Sequence, residues 1–173
     1  TIQKLIKNRL EVNDFYGNLK NNGRNNNVFN LLISENDKEA IKIARDMGRQ
    51  KIVFENLVGK IVERGIKKFK NTQDKLILWA IDKDLELVGA GAKISTELNS
   101  HFKIPVFFCN KEKTALKGSV RANYSNKSAV EALKSCSDLL IDFGGHPKAA
   151  GFHIKKQNLK KLEEALEKFY AGQ

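Results

Sequence analysis

Apolar residues recur at intervals of three and four through the N-terminal part of the chain, and after Lys75 they gather into short near-continuous runs. Ile2, Leu5, Ile6 and Leu10 predict a short helix within residues 1–20. The run Asn21-Asn22-Gly23-Arg24-Asn25-Asn26-Asn27 predicts a loop, because Asn and Gly tolerate positive φ. Val28 to Ile33 reads as one apolar turn of helix or an extended piece. Ser34-Glu35-Asn36-Asp37 then supplies an N-terminal cap for a long helix. Ala40, Ala44, Met47, Phe54, Leu57, Val58, Ile61, Val62, Ile66 and Phe69 line one side of it, and Lys, Arg and Glu the other. Gly48, Gly59 and Gly65 weaken it and mark candidate bends or breaks, and Lys67-Lys68 set cations at its negative end.

The period then shortens. Leu76 to Ile81 predicts a buried strand, Asp82-Lys83-Asp84 a turn, and Leu85 to Val88 either a partner strand or a lead into the next helix. Gly89-Ala90-Gly91-Ala92-Lys93 opens a helix through Ile94, Leu98 and Phe102. Strands follow at Ile104–Cys109 and Ala115–Ala122, then a helix capped by Ser128 and running on to Leu140. A sharp turn at Phe143-Gly144-Gly145-His146 precedes a strand over Ala149–Ile154. Leu159, Leu162, Leu166 and Phe169 make a terminal amphipathic helix. Alternating strands and helices predict an α/β fold, a mixed β-sheet flanked by helices. The expected division is a helical connector over residues 1–72 and a compact domain over 73–173.

Charge narrows the partners. The net charge is +11, spread over both parts: +6 over residues 1–74 and +5 over 75–173. That balance favours a polyanion, nucleic acid or an acidic protein surface. Cys109 and Cys136 stand far apart and form no C-x-x-C pair, which predicts reduced buried thiols in a cytoplasmic protein. With three histidines in all, no Cys/His metal cage is expected. No apolar run reaches the length of a membrane span, and residues 1–4 do not begin a signal peptide, so no membrane partner is expected.

Candidate chemistry concentrates in Gly144-Gly145-His146-Pro147-Lys148-Ala149-Ala150-Gly151-Phe152. Paired glycines let a ligand approach the backbone closely, and the histidine donates to a phosphate or stacks on a base. An ordinary glycine-rich turn with a surface histidine reads the same way. Gly89 and Gly91 fall short of a dinucleotide fingerprint, since the third glycine is missing, and there is no P-loop string. His101 and His153 carry no assigned chemistry, and Asp138 and Asp142 read as caps or surface charges.

The string Gly-Gly-His-Pro-Lys-Ala-Ala-Gly-Phe resembles the signature of the DHH-associated domain of RecJ-like phosphoesterases. Glu131–Leu140 resembles the helix that precedes that signature, and Lys117-Gly118-Ser119-Val120-Arg121-Ala122 is similar to the family's glycine-serine-x-arginine strand. Asn21–Arg24, Leu31–Asp37 and Glu39-Ala40 resemble the RecJ segment joining its two domains, with Asn22 where the family has a small residue. The resemblance implies that Gly144, Gly145 and His146 hold a nucleotide or its phosphate, with Lys148 beside them. It implies that Arg121 and Ser119 grip the backbone, an Arg fork suiting phosphate bidentately. A strand-face salt bridge is the alternative for Arg121. Lys93 would meet an anion near a helix N-terminus, or stand solvated, because the family's small-residue helix start is matched only approximately there.

The family's hydrolysis needs a two-metal Asp/His cluster with an Asp-His-His triplet, and this sequence contains no such triplet. The resemblance therefore implies a module that is not itself an enzyme and has no cofactor of its own. Manganese or magnesium would enter only with a DHH domain in a parent protein. Three settings follow: a module binding single-stranded DNA or RNA, or serving as an archaeal replisome scaffold with GINS and the replicative (CMG-type) helicase; the C-terminal substrate-binding part of a RecJ-like 5'-3' exonuclease; and a signalling-nucleotide domain like those of cyclic-dinucleotide phosphodiesterases.

Overall fold

A computed structural model describes residues 30–31, 34–81, 90–111 and 115–171. The helix expected within residues 1–20, the Asn-rich loop and the Asp82–Val88 stretch lie outside the described residues. The chain divides into two compact units, with the boundary between Gly59 and Lys60.

Helix α1 (Asp37–Phe69) starts in the first unit, where the cap was expected. Asn36 is the residue that does the capping: its Oδ1 accepts the backbone N–H of Lys38 at 2.9 Å and of Glu39 at 3.4 Å. The helix runs without a break through Gly48, Gly59 and Gly65. Leu31 and Met47 form a small cluster with Ala40, Ile43 and Ala44.

The second unit is built on a five-stranded mixed sheet of order β1-β2-β3-β5-β4. Its strands are β1 (Ile77–Ile81), β2 (Val106–Lys111), β3 (Ala115–Arg121), β4 (Leu140–His146) and β5 (Ala149–Lys155). β1 and β2 are parallel and joined through helix α2 (Gly91–Phe102); every other pairing is antiparallel. Helices α3 (Ala129–Lys134) and α4 (Leu159–Ala171) complete the unit.

Strand alternation sorts the side chains. Leu116 and Val120 of β3, and Ala150, Phe152 and Ile154 of β5, enter one core with Leu133 of α3 and Leu162 and Leu166 of α4. Full burial of a side chain such as Phe152 contributes about 2–3 kcal/mol. On the opposite face α2 packs over β2 and β3. There Trp79 meets Phe108 edge-on at 5.6 Å, and Phe69, from the end of α1, meets Trp79 at 5.8 Å. Gly65 is explained by this contact: a Cβ there would come within 2.7 Å of the Trp79 ring.

Two expectations need correction. The helix capped by Ser128 ends at Lys134 instead of running to Leu140, and a 3-10 turn over Ser137–Leu139 follows. The Ser135 hydroxyl and the Cys136 thiol both bond the Ala132 carbonyl, at 2.8 and 3.1 Å, which occupies the acceptor that a continuing helix would use. The sharp turn expected at Phe143–His146 is instead the end of β4, and the chain reverses at Pro147-Lys148. Proline has no N–H for a ladder, so it suits the turn better than the strand.

Candidate nucleic-acid interface

The hairpin that carries the glycines is pinned at its tip. Ala122 N–H donates to the Lys148 carbonyl at 3.0 Å, Ala129 N–H to the Pro147 carbonyl at 2.7 Å, and Lys148 Nζ to the Ser125 carbonyl at 2.6 Å. These bonds tie the turn to the connection between β3 and α3. The hairpin's register is His146↔Ala149, Gly145↔Ala150, Gly144↔Gly151, Phe143↔Phe152 and Asp142↔His153. Gly145 has φ +143°, and a Cβ there would stand 2.5 Å from the Ala149 carbonyl oxygen, so only glycine fits.

Reading across β3, β5 and β4 on the α2 side of the sheet gives three rows. The first is Arg121, Ala149 and His146; the second Ser119, Gly151 and Gly144; the third Lys117, His153 and Asp142. The middle row is a floor of one hydroxyl and two bare α-carbons. Gly144 has nothing within 4 Å of its missing Cβ, and Gly144, Gly145, His146 and Gly151 are all exposed. Basic side chains stand on both sides of this floor. Arg121 and His146 lie two strand spacings apart, about 10 Å. The trough is lined on one flank by the start of α2, where Gly91 packs against Ser119; a Cβ on Gly91 would reach the Ser119 hydroxyl at 3.3 Å.

The expected site residues therefore fall into two groups. Arg121, Ser119, Gly144 and His146 share one face, with Gly145 in the strand between the last two. Lys93 sits in the first turn of α2, two residues beyond Gly91. Lys148 is at the hairpin tip, where its ammonium holds the turn. Arg121 is half-buried, its Nη1 donates to the Val120 carbonyl at 2.9 Å, and burial lowers its pKa. An arginine stays charged under such a shift. The alternative of a strand-face salt bridge finds no partner: among the described residues no carboxylate pairs with Arg121.

Sequence reasoning missed Lys117 and the pair His153–Asp142. His153 Nδ1 lies 2.7 Å and 2.8 Å from the two Asp142 carboxylate oxygens. The two-residue turn at Pro147-Lys148 fixes that pairing, since counting back from His146↔Ala149 brings Asp142 opposite His153. With the turn assigned three residues too early, the count could not be made. Among the described residues, no group of three or more His, Cys, Asp or Glu is arranged to hold a metal. No described helix is long and apolar enough to cross a membrane.

Comparisons agree with this fold. The DHHA1 domain family matches residues 59–172. The single-stranded-DNA-specific exonuclease RecJ of Bacillus subtilis (strain 168) is 28% identical over 141 residues, which are 79% of this chain and 17% of that protein. The structure of RecJ from Thermus thermophilus in complex with Mn2+ superposes with a TM-score of 0.76 at 23% identity, covering 94% of this chain and 23% of that one. A second RecJ exonuclease structure, bound to manganese, gives a TM-score of 0.72 at 24% identity, over 84% of this chain and 36% of the other. The chain thus spans less than two fifths of each relative. Matched over residues 59–172, it belongs to the DHHA1 domain family as a RecJ-like, DHH-associated member.

Proposed function

We propose that this chain is a holding module for single-stranded nucleic acid, with no hydrolytic chemistry of its own, and that the strand lies in the trough over Ser119, Gly151 and Gly144. One observation carries the reading: a floor of one hydroxyl and two bare α-carbons between Arg121 and His146 on one side and Lys117 and His153 on the other. Bare backbone admits a sugar or base edge closely, and cations beside it neutralise phosphates and release counterions. None of these residues is placed to distinguish bases in a duplex groove, so the contact is to backbone and shape. The RecJ relative from Bacillus subtilis is specific for single-stranded DNA by name, which supports the same ligand class here.

Two settings suit this role, a module acting alone and the substrate-binding part of a longer RecJ-like 5'-3' exonuclease. The encoding reading frame distinguishes them: an upstream Asp-His-His motif in the same frame means the latter. A replication-scaffold role with GINS and the replicative helicase would use another surface. Ile41, Ile52 and Val53 of α1 are 45%, 62% and 67% exposed, which gives that reading exposed apolar side chains for a protein partner.

Fluorescence anisotropy of a labelled single strand over a salt series tests the proposal. If about three phosphates are neutralised, log affinity falls against log salt with a slope of about −2, and Arg121→Ala with His146→Ala removes most of the binding. Binding indifferent to both substitutions would sink it.

A further inference from the structure

The pairing of β3 with β5 continues beyond His153 to Ala115↔Lys155. β4 and β5 lose register by one residue between Leu140 and Asp142, because Leu140 pairs with Ile154 while Asp142 pairs with His153. Ile141 is the extra residue of this bulge, and it is 53% exposed. It lines a cavity of about 520 Å3 together with Ala115, Lys155, Lys156 and Gln157. Ala115 and Lys155 are paired across β3 and β5, two residues beyond Lys117 and His153. By strand alternation both face the same side as Arg121, Ser119 and Lys117. The cavity therefore includes a fourth row on the same face, six residues along β3 from Arg121, or about 20 Å.

From this placement we infer that the Ile141–Lys155–Lys156 cavity is a second subsite for the same single strand, distal to the Gly-Gly-His end. The inference rests on the holding function proposed above. Lys155 and Lys156 are exposed, and neither pairs with a carboxylate among the described residues. Their ammonium groups are available to phosphates, while Ile141 offers an apolar surface beneath a sugar or base. Between the two ends the track crosses Lys117, with Asp142 the one carboxylate on its described rows, and His153 covers that group. The bulge explains why an isoleucine points out here: the extra residue escapes the alternation that sends its neighbours Leu140 and Phe143 toward the core.

Oligonucleotide length separates the two ends. Ten nucleotides reach beyond about 20 Å even at the duplex rise of about 3.4 Å per nucleotide, and a dinucleotide at that rise falls well short. Binding of labelled oligothymidylates of both lengths is measured on the whole chain and on two variants, Lys155→Ala/Lys156→Ala and Ile141→Ser. The decanucleotide should lose about tenfold in affinity in the lysine variant, with a salt slope shallower by about 1.4, while the dinucleotide is unaffected. Ile141→Ser should weaken the decanucleotide without changing the slope. Circular dichroism and thermal melting check that both variants fold, which exposed positions should allow. Equal affinity for the two lengths, or a decanucleotide indifferent to both variants while Arg121→Ala still matters, overturns the second subsite and leaves the trough standing. Failure of both lengths to bind overturns both. Binding of poly-L-glutamate that depends on Lys155 and Lys156, with no length effect on oligothymidylate, overturns the subsite in favour of an acidic protein surface.

Discussion

Gly118 and Phe152 are cross-strand partners, and the Phe152 ring stands over the bare α-carbon of Gly118. A methyl group on Gly118 would fall well inside contact distance of three ring atoms. The glycine of the Gly-Ser-x-Arg strand thus exists for the phenylalanine that ends the Gly-Gly-His string. Gly118→Ala should destabilise the protein by about 1–3 kcal/mol through overpacking, read as a lower denaturation midpoint. Adding Phe152→Leu should recover part of that loss, since the two residues share one space. A simple sum of the two single effects would refute the pairing argument.

Adjacent glycines in the site should behave differently. Gly145 has φ +143° and no room for a Cβ, whereas Gly144 faces open space. Gly145→Ala should cost about 2–3 kcal/mol of stability. Gly144→Ala should change stability by less than about 1 kcal/mol, yet weaken single-strand binding several-fold by raising the trough floor. Chemical denaturation and anisotropy on the same two variants check both halves.

Asp142→Asn should leave stability within about 1 kcal/mol, because its pair with His153 is well exposed to solvent. It should tighten single-strand binding, since it removes the carboxylate from a face meant for phosphates. An Asp142→Asn variant that binds more weakly would assign Asp142 a contact with the ligand instead.

The thiols predict an alkaline limit. Burial pushes Cys109 up to about 12 and Cys136 to about 11, from an ordinary 9.0, and raises Tyr170 as well. The folded state thus holds these protons more tightly than the unfolded state. Their stabilising effect is complete below pH 9, and it is lost as pH rises through 11 and 12. Denaturation midpoints should therefore be flat with respect to these groups below pH 9 and fall above it. A thiol reagent at about pH 8 should label neither cysteine until the protein unfolds.

Much of this was legible in the residues. Helix α1 followed from its apolar spacing and cap, and β1, β3 and β5 from short β-rich runs. The partnership of Arg121 with His146 came from resemblance, and only strand order, with β5 inserted between β3 and β4, puts them on one row. Local pattern does not encode that insertion. The glycine pair misled because Gly-Gly reads as a turn, whereas here Gly145 serves close backbone approach within a strand. The end of α3 was hidden for a similar reason: Ser135 and Cys136 look compatible with a helix until their side chains take its last carbonyls.

β4 pairs with β5 alone among the described residues, so the Gly-Gly-His string lies on an edge of the sheet. An edge strand offers a second row of backbone donors and acceptors on which foreign chains can build. The one-residue slip at Ile141 interrupts that row, because a straight incoming strand cannot stay in step across it. Deleting Ile141 would restore the step, turning a guarded border into a template for self-association.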